Sequence, residues 1–222
     1  MGVCNILCLT GDGVQAGDHP QAKPVFDLDC VSLLEIGRTL RDDHHFQSGR
    51  KISFAPRVFL GAAENPSALP HDWRARRLAK KVAAGAQFIQ TQYCYDLPLL
   101  RAFMREVEEL GLLGKVYILA GVGPLRSAKT ADWMRKNVPG MHVPDSVVER
   151  LRGAQDQARE GRNLCIELIQ SMREMRGISG VHVMAYRQEE SVAEIVDRSG
   201  ILKGRSPWYP ERDASQSQRT AS

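Results

Sequence analysis

Strand signals and helix signals alternate along nearly the whole chain of 222 residues, and this alternation constrains the fold more than any single motif. Short apolar runs near residues 4–9, 57–63, 87–92, 115–121 and 181–185 each precede a segment with helical periodicity. Repeated βα units place their strands side by side in a parallel sheet, because each helix crosses back over one face. The pattern therefore predicts an α/β protein built from five βα units.

The boundaries of these units carry recognisable signals. Asp29 is predicted to cap the helix that follows the first strand, and a helix is predicted from about Leu69 up to Gly85. Gly85 stands where a left-handed backbone ends a helix, which glycine adopts without strain. Residues 90–92, Gln-Thr-Gln, then place amide and hydroxyl groups at the carboxyl end of the third strand. In an α/β barrel this end binds ligands.

Composition indicates one globular domain over residues 1–210, followed by a polar tail at 211–222 that we expect to be disordered. A net charge of +4 is too mild to indicate nucleic acid, and no long apolar run predicts a membrane span. Five cysteines without a CxxC pair favour a reducing compartment, so we expect a cytoplasmic protein. The spacing of Cys4 and Cys8 is compatible with a metal, but both lie in a strand pattern, which favours burial. We predict no metal site.

Chain length limits how many units the fold can contain. Five units in about 200 residues use about 40 residues each, so an eight-unit barrel would need about 320. Either the strands form an open doubly wound sheet, or something else completes a barrel. An incomplete barrel would leave two unpaired edge strands and an open interior.

Five motifs follow one another at the spacing of these units. They are Asn5–Asp12 (NILCLTGD), Gly61–Pro66 (GAAENP), Lys81–Ala86 leading into Gln90–Gln92, Gly121–Pro124 (GVGP) and Gly180–Ala185 (GVHVMA). Together they resemble the methylenetetrahydrofolate reductase family from about Asn5 to Val196. The resemblance implies a (βα)8 TIM barrel that this chain enters at the fourth strand, so that the first three βα units are lacking.

The resemblance also implies an activity. Members of the family bind FAD, take a hydride from NADH or NADPH, and reduce 5,10-methylenetetrahydrofolate to 5-methyltetrahydrofolate in one-carbon metabolism and methionine biosynthesis. The family's catalytic glutamate lies on its first strand and has no counterpart here, so activity is expected only with a complementing amino-terminal part. We expect a folate substrate, and a homo-oligomer or a complementing chain across the open edge. The alternatives are a non-catalytic folate-binding or assembly subunit and an inactive fragment.

Site residues are implied where the motifs match. Asp12 is implied as the catalytic carboxylate beside the flavin, where it would tune the ring electrostatically. Gln92, whose amide can both donate and accept, and Tyr186 are implied as folate contacts. Thr10 stands where some members carry an arginine. The flavin contacts implied by the resemblance are Thr10, Gly11, Asp12, Asn65, Ala68, Lys80 and Lys81.

Residue type alone leaves a structural alternative for each of these assignments. Asp12 between two glycines is also typical of a turn, and Asn65 before a proline is an ordinary turn signal. Lys80 and Lys81 are equally typical of a solvated helix face. Gln92 could serve only as a hydrogen-bonding residue at a strand end, and Tyr186 could cap the core.

Overall fold

The computed structural model describes residues 2–25 and 27–204, and within them five strands form one parallel sheet. The strands are β1 (Asn5–Cys8), β2 (Phe59–Glu64), β3 (Phe88–Tyr93), β4 (Tyr117–Val122) and β5 (Ile178–Val183). Each strand pairs in parallel with the next strand in the chain. A doubly wound sheet reverses its strand order at a switch point, whereas a (βα)8 barrel keeps the chain order. The sheet is therefore a five-stranded arc of the barrel type, and the doubly wound alternative is wrong.

Seven α-helices are described, and they follow the strands in the alternation that the sequence predicts. They are α1 (Cys30–Arg38), α2 (His71–Ala84), α3 (Leu97–Glu109), α4 (Ala128–Asn137), α5 (Asp145–Gly153), α6 (Gln157–Arg173) and α7 (Val192–Ser199). A π-helical turn, Thr39–Asp43, extends α1. None of the described helices is long and apolar enough to cross a bilayer. The predicted tail at 211–222 lies outside the described residues.

Local signals set most helix ends. The Asp29 side chain accepts a hydrogen bond from the Ser32 N–H at 2.8 Å and caps α1, as predicted. Gly85 ends α2 with a φ of +122°, a value that other residues adopt only with strain. The fifth strand begins earlier than predicted, at Ile178. Gly180, predicted to precede this strand, lies inside it and pairs with Leu119 of β4. A Cβ at Gly180 would be 3.2 Å from the Leu119 side chain, so glycine suits this close approach.

The core lies between the sheet and the helices. Leu60, Ile89 and Ile118 point from neighbouring strands into this layer and are at most 1% exposed. From α3, Phe103 and Val107 pack into the same layer, four residues apart on one face. The helices thus seal the convex face of the sheet.

The concave face of the sheet is open. Phe59, Phe88 and Tyr117 form an aromatic row across β2, β3 and β4, with ring centroids 5.4 Å and 6.0 Å from that of Phe59. Tyr117 at the end of this row is 60% exposed, and Leu7 and Leu9 on the β1 side are exposed too. In a closed barrel the side chains of eight strands fill this space. The described strands therefore leave an apolar interior uncovered.

Candidate functional site

A cavity of about 450 Å³ lies at the carboxyl ends of the strands, on the open concave side. Of the predicted site residues it collects four: Asn65, Ala68, Lys81 and Gln92. Asn65 and Ala68 come from the loop between β2 and α2, Lys81 from α2 and Gln92 from the end of β3. This is the edge at which barrel proteins bind their ligands.

Lys81 is held at the cavity by two oxygen atoms. Its Nζ donates to the Ala63 carbonyl at 2.6 Å and to Glu64 Oε2 at 3.0 Å. Lys80 is exposed and does not line the cavity. Arg77, one turn before Lys81, does line it, because residues four apart share a helix face. The structure therefore presents Arg77 and Lys81 as the cationic pair, and Lys80 faces away.

Glu64 is the carboxylate between these two cations, and sequence reasoning missed it. It is 6% exposed, its Oε1 accepts from the Asn65 N–H at 3.0 Å and lies 3.7 Å from Arg77 Nε. Arg77 Nη2 is buried and has no hydrogen-bond partner among the described residues. The pair therefore retains positive charge that Glu64 does not fully use. A glutamate in a buried strand would have signalled this pairing.

Asn65 uses its side chain to hold a distant connector. Its Nδ2 donates to the Gly140 carbonyl at 2.9 Å, and its Oδ1 accepts from the Ser67 N–H at 2.9 Å. A second tie lies nearby, where His142 Nε2 is 3.0 Å from Asp96 Oδ2. The connector between α4 and α5 is thus fixed beside the cavity. One N–H and one oxygen lone pair of the Asn65 amide are not used by these two bonds.

Strands β3 and β5 supply four polar side chains to the cavity, those of Gln90, Thr91, Gln92 and His182. Gln92 Oε1 accepts from the Tyr93 N–H at 3.0 Å, so the amide nitrogen of Gln92 is turned away from this backbone N–H. Gln90 has no side-chain hydrogen bond to any described residue. His182 on β5 has a buried, unpartnered Nδ1, and burial lowers the pKa of its imidazole. His182 was missed as a site residue, although its alternation with Gly180 and Met184 could have placed it on the inner face.

The loop after β1 lies outside the cavity lining. Thr10 Oγ1 accepts from the Cys30 N–H at 3.1 Å and so ties this loop to the start of α1. Gly11 has a φ of +81°, and Asp12 is exposed, with no hydrogen bond or ion pair to a described residue. The structure therefore does not bring Thr10, Gly11 or Asp12 together with Gln92 in one cavity.

Tyr186 lines a neighbouring cavity of about 360 Å³ between α4 and the end of β5. The side chain is exposed, with the Arg187 guanidinium carbon 5.2 Å from its ring centroid. Met184 lines both cavities and stands between them. Tyr186 therefore does not cap the core, and it borders a second chamber beside that of Gln92.

The two amino-terminal cysteines have different surroundings. Cys8 is buried, as predicted, and burial raises the pKa of its thiol. Cys4 is exposed, so the prediction of burial is wrong for this residue, because no described helix covers that end of β1. Among the residues that the structure describes, no three His, Cys, Asp or Glu side chains are grouped to hold a metal.

A parallel sheet in chain order, with a cavity at its carboxyl edge, defines a protein of the (βα)8-barrel class. The sequence profile described as Methylenetetrahydrofolate reductase matches residues 1–200. The chain belongs to the methylenetetrahydrofolate reductase family.

Curated relatives share low identity over most of this chain. Methylenetetrahydrofolate reductase 2 of Schizosaccharomyces pombe is 27% identical over 218 residues, covering 92% of this chain and 32% of the relative. Methylenetetrahydrofolate reductase 1 of the same organism is 25% identical, covering 90% of this chain and 32% of the relative. A probable methylenetetrahydrofolate reductase (NADPH) of Caenorhabditis elegans is 24% identical, covering 91% and 29%. The chain spans about a third of the length of these relatives.

A solved structure supports the fold. A protein from Clostridium thermocellum that binds two copies of 5-methyl-5,6,7,8-tetrahydrofolic acid aligns with a TM-score of 0.51 and 18% identity. The alignment covers 65% of this chain and 53% of that protein. At this identity the likeness concerns the fold alone.

Proposed function

We propose that this chain is part of a flavin-dependent methylenetetrahydrofolate reductase that reduces 5,10-methylenetetrahydrofolate to 5-methyltetrahydrofolate. The observation that carries the proposal is the cavity at the carboxyl edge, where Gln92, Lys81 and Arg77 converge in a member of this family. The folate-binding property of the Clostridium thermocellum protein is in line with a folate substrate here.

The cationic pair on α2 fits the phosphates of FAD. Arg77 and Lys81 would hold them, since Arg77 Nη2 lacks a partner and Glu64 offsets only part of the charge. When bound, FAD supplies the hydride transfer chemistry. Asn65 and Ala68 line the same cavity and remain proposed flavin contacts, as do Thr10, Gly11 and Asp12 outside it, and Tyr186 remains a proposed folate contact. Lys80 faces away from the cavity and is not proposed as a contact.

The hydride donor is proposed to be NADPH or NADH. The Caenorhabditis elegans relative carries NADPH in its name, which favours NADPH as the hydride donor. Because that relative is 24% identical, both dinucleotides belong in the assay.

Three further βα units are proposed to close the barrel over the concave face. The exposed Leu7, Leu9 and Tyr117 support this, because they lie where the missing strands of a closed barrel would pack. The units would come from a complementing chain, from another part of a longer polypeptide, or from a homo-oligomer. The proposed cellular location is the cytoplasm.

The test is flavin binding and turnover by the 222-residue chain, alone and together with a segment that supplies three amino-terminal βα units of a family member. We expect visible flavin absorption and NAD(P)H oxidation with methylenetetrahydrofolate only in the complemented protein. Lys81→Met should weaken flavin binding and Lys80→Met should not. Colourless protein in both preparations would refute the proposal.

A binding-only role is the second candidate, and one feature favours it. Among the described residues lining the cavity, Glu64 is the only carboxylate, and Lys81 and Arg77 hold it as an acceptor. A glutamate held in this way is a poor proton donor toward a pterin. Folate binding by the complemented protein without NAD(P)H consumption would select this candidate.

A further inference from the structure

Two side chains on the inner face, those of Gln90 on β3 and His182 on β5, line the cavity, and the proposed function assigns no role to either. Neither makes a side-chain hydrogen bond to a described residue. Polar groups inside proteins usually have partners, so two unpartnered groups around one cavity require an explanation.

The surroundings of His182 indicate which ring nitrogen carries the proton. Nδ1 is buried without a partner, whereas Nε2 is not enclosed and has no described protein partner. An enclosed N–H without an acceptor costs the full desolvation penalty, and an enclosed lone pair costs less. Burial also lowers the pKa of the imidazole, which keeps the ring neutral near pH 7. The neutral ring therefore carries its proton on Nε2 and offers the cavity a donor.

Gln90 complements this donor. Its amide is free to donate through nitrogen and to accept through oxygen. A donor from one strand and a donor and acceptor from another match a lactam edge, in which a carbonyl oxygen stands beside a ring N–H. Flavin and pterin rings both carry such an edge.

We propose that Gln90 and His182 bind the lactam edge of the heterocycle in the cavity, with His182 Nε2–H donating to the carbonyl oxygen and Gln90 pairing with the adjacent N–H. This inference rests on the proposed function, because the heterocycle is its flavin or its folate. The two residues set the orientation of the ring and the specificity for a lactam.

Two isosteric replacements of His182 separate the two ring nitrogens. The amide nitrogen of glutamine reaches the place of Nε2, and that of asparagine the place of Nδ1. We expect His182→Gln to keep ligand affinity within about twofold and His182→Asn to lose about tenfold, the loss of one hydrogen bond. Gln90→Met, which keeps the side-chain length, should also lose about tenfold. The matched controls are His19→Asn and Gln47→Met, substitutions of two exposed residues, and both should leave the ligand affinity unchanged.

Binding is measured by equilibrium dialysis on the complemented protein, with FAD in one arm and 5-methyltetrahydrofolate in the presence of FAD in the other. The arm that loses affinity identifies the ring. Equal effects of His182→Gln and His182→Asn, or no loss in either arm, would overturn this inference and leave the proposed function standing. Wild-type protein that binds neither ligand would overturn both.

A measurement on the wild-type protein makes the test independent of whether the variants fold. Nitrogen-15 NMR of the imidazole should show the Nε2–H tautomer without ligand and a shifted Nε2–H signal with the ligand of the responsive arm. A proton on Nδ1, or a signal that no ligand moves, would refute the assignment.

Discussion

Arg77 and Lys81 stand one helical turn apart on α2, with the Glu64 carboxylate between them at the end of β2. Lys81 is the nearer partner, at 3.0 Å compared with 3.7 Å for Arg77. The nearly buried carboxylate therefore depends mainly on Lys81. Lys81 therefore contributes both to the stability of the fold and to the positive charge available for a ligand.

Replacing Lys81 should affect stability as well as flavin binding. Lys81→Met leaves the carboxylate of Glu64 with one distant cation, and removing one member of a buried ion pair costs about 3–5 kcal/mol. We expect a loss toward the lower end of this range, because Lys81 keeps some solvent contact. Urea unfolding would measure it, with Lys80→Met as the control, expected within about 0.5 kcal/mol of wild type. Equal losses in the two variants would contradict the pairing.

His182 should make stability depend on pH. Burial lowers the pKa of its imidazole below the ordinary value of 6.5, so the unfolded chain binds a proton more readily than the folded chain. The contribution of this group to the unfolding free energy is complete above that value and decreases as the pH falls below it. His182→Gln should therefore show a smaller loss of stability between pH 7.5 and pH 5.5. Parallel stability profiles for the two proteins would argue against a depressed pKa.

At the scale of elements, α6 approaches the sheet where a glycine permits it. A Cβ on Gly161 would overlap the carbonyl oxygen of Leu125, which follows β4. Gly153, at the end of α5, has open space where its Cβ would be. There is therefore room for a side chain at Gly153 but not at Gly161.

Alanine substitutions should reveal this difference. Gly161→Ala forces α6 away from the segment after β4, and overpacking of this kind costs about 1–3 kcal/mol or more. Gly153→Ala should be neutral or stabilise by up to about 1 kcal/mol, because alanine favours the helix. Thermal unfolding of both variants would test the expectation. A tolerated alanine at residue 161 would mean that α6 packs less closely than described.

At the scale of the whole molecule, the open concave face is the dominant feature. The helices seal one side of the sheet, while apolar side chains on the other side remain in contact with water. Among the described strands, β1 and β5 each pair on one side only, so their outer backbone groups have no strand partner. Both features favour completion of the barrel by further strands.

A charge on the open face should prevent that completion. Leu9, which lines the cavity, is 49% exposed, and Leu110, on the far side after α3, is 44% exposed. Leu9→Asp would place a carboxylate in the interior of the closed barrel and should abolish association with the complementing segment. Leu110→Asp, of similar exposure, should not. Co-purification followed by native mass measurement compares them, and equal association would argue against closure over this face.

The sequence by itself determined the alternation of strands and helices, the cap at Asp29 and the turn at Gly85. These depend on periodicity and on contacts within a few residues, which a sequence displays directly. Its motifs also led to the family and to Gln92 and Lys81 at the cavity. The strand order and the choice of a barrel arc over a doubly wound sheet needed the observed pairing.

Only the tertiary structure decided which polar groups meet. Arg77 faces the cavity and Lys80 does not, because adjacent residues on a helix differ by about 100° in direction and the sequence does not fix the rotation of α2. The contact of Asn65 with Gly140 and the placement of His182 and Gln90 at one cavity join residues far apart in the chain. Such contacts follow from the packing of whole elements, which local pattern does not encode.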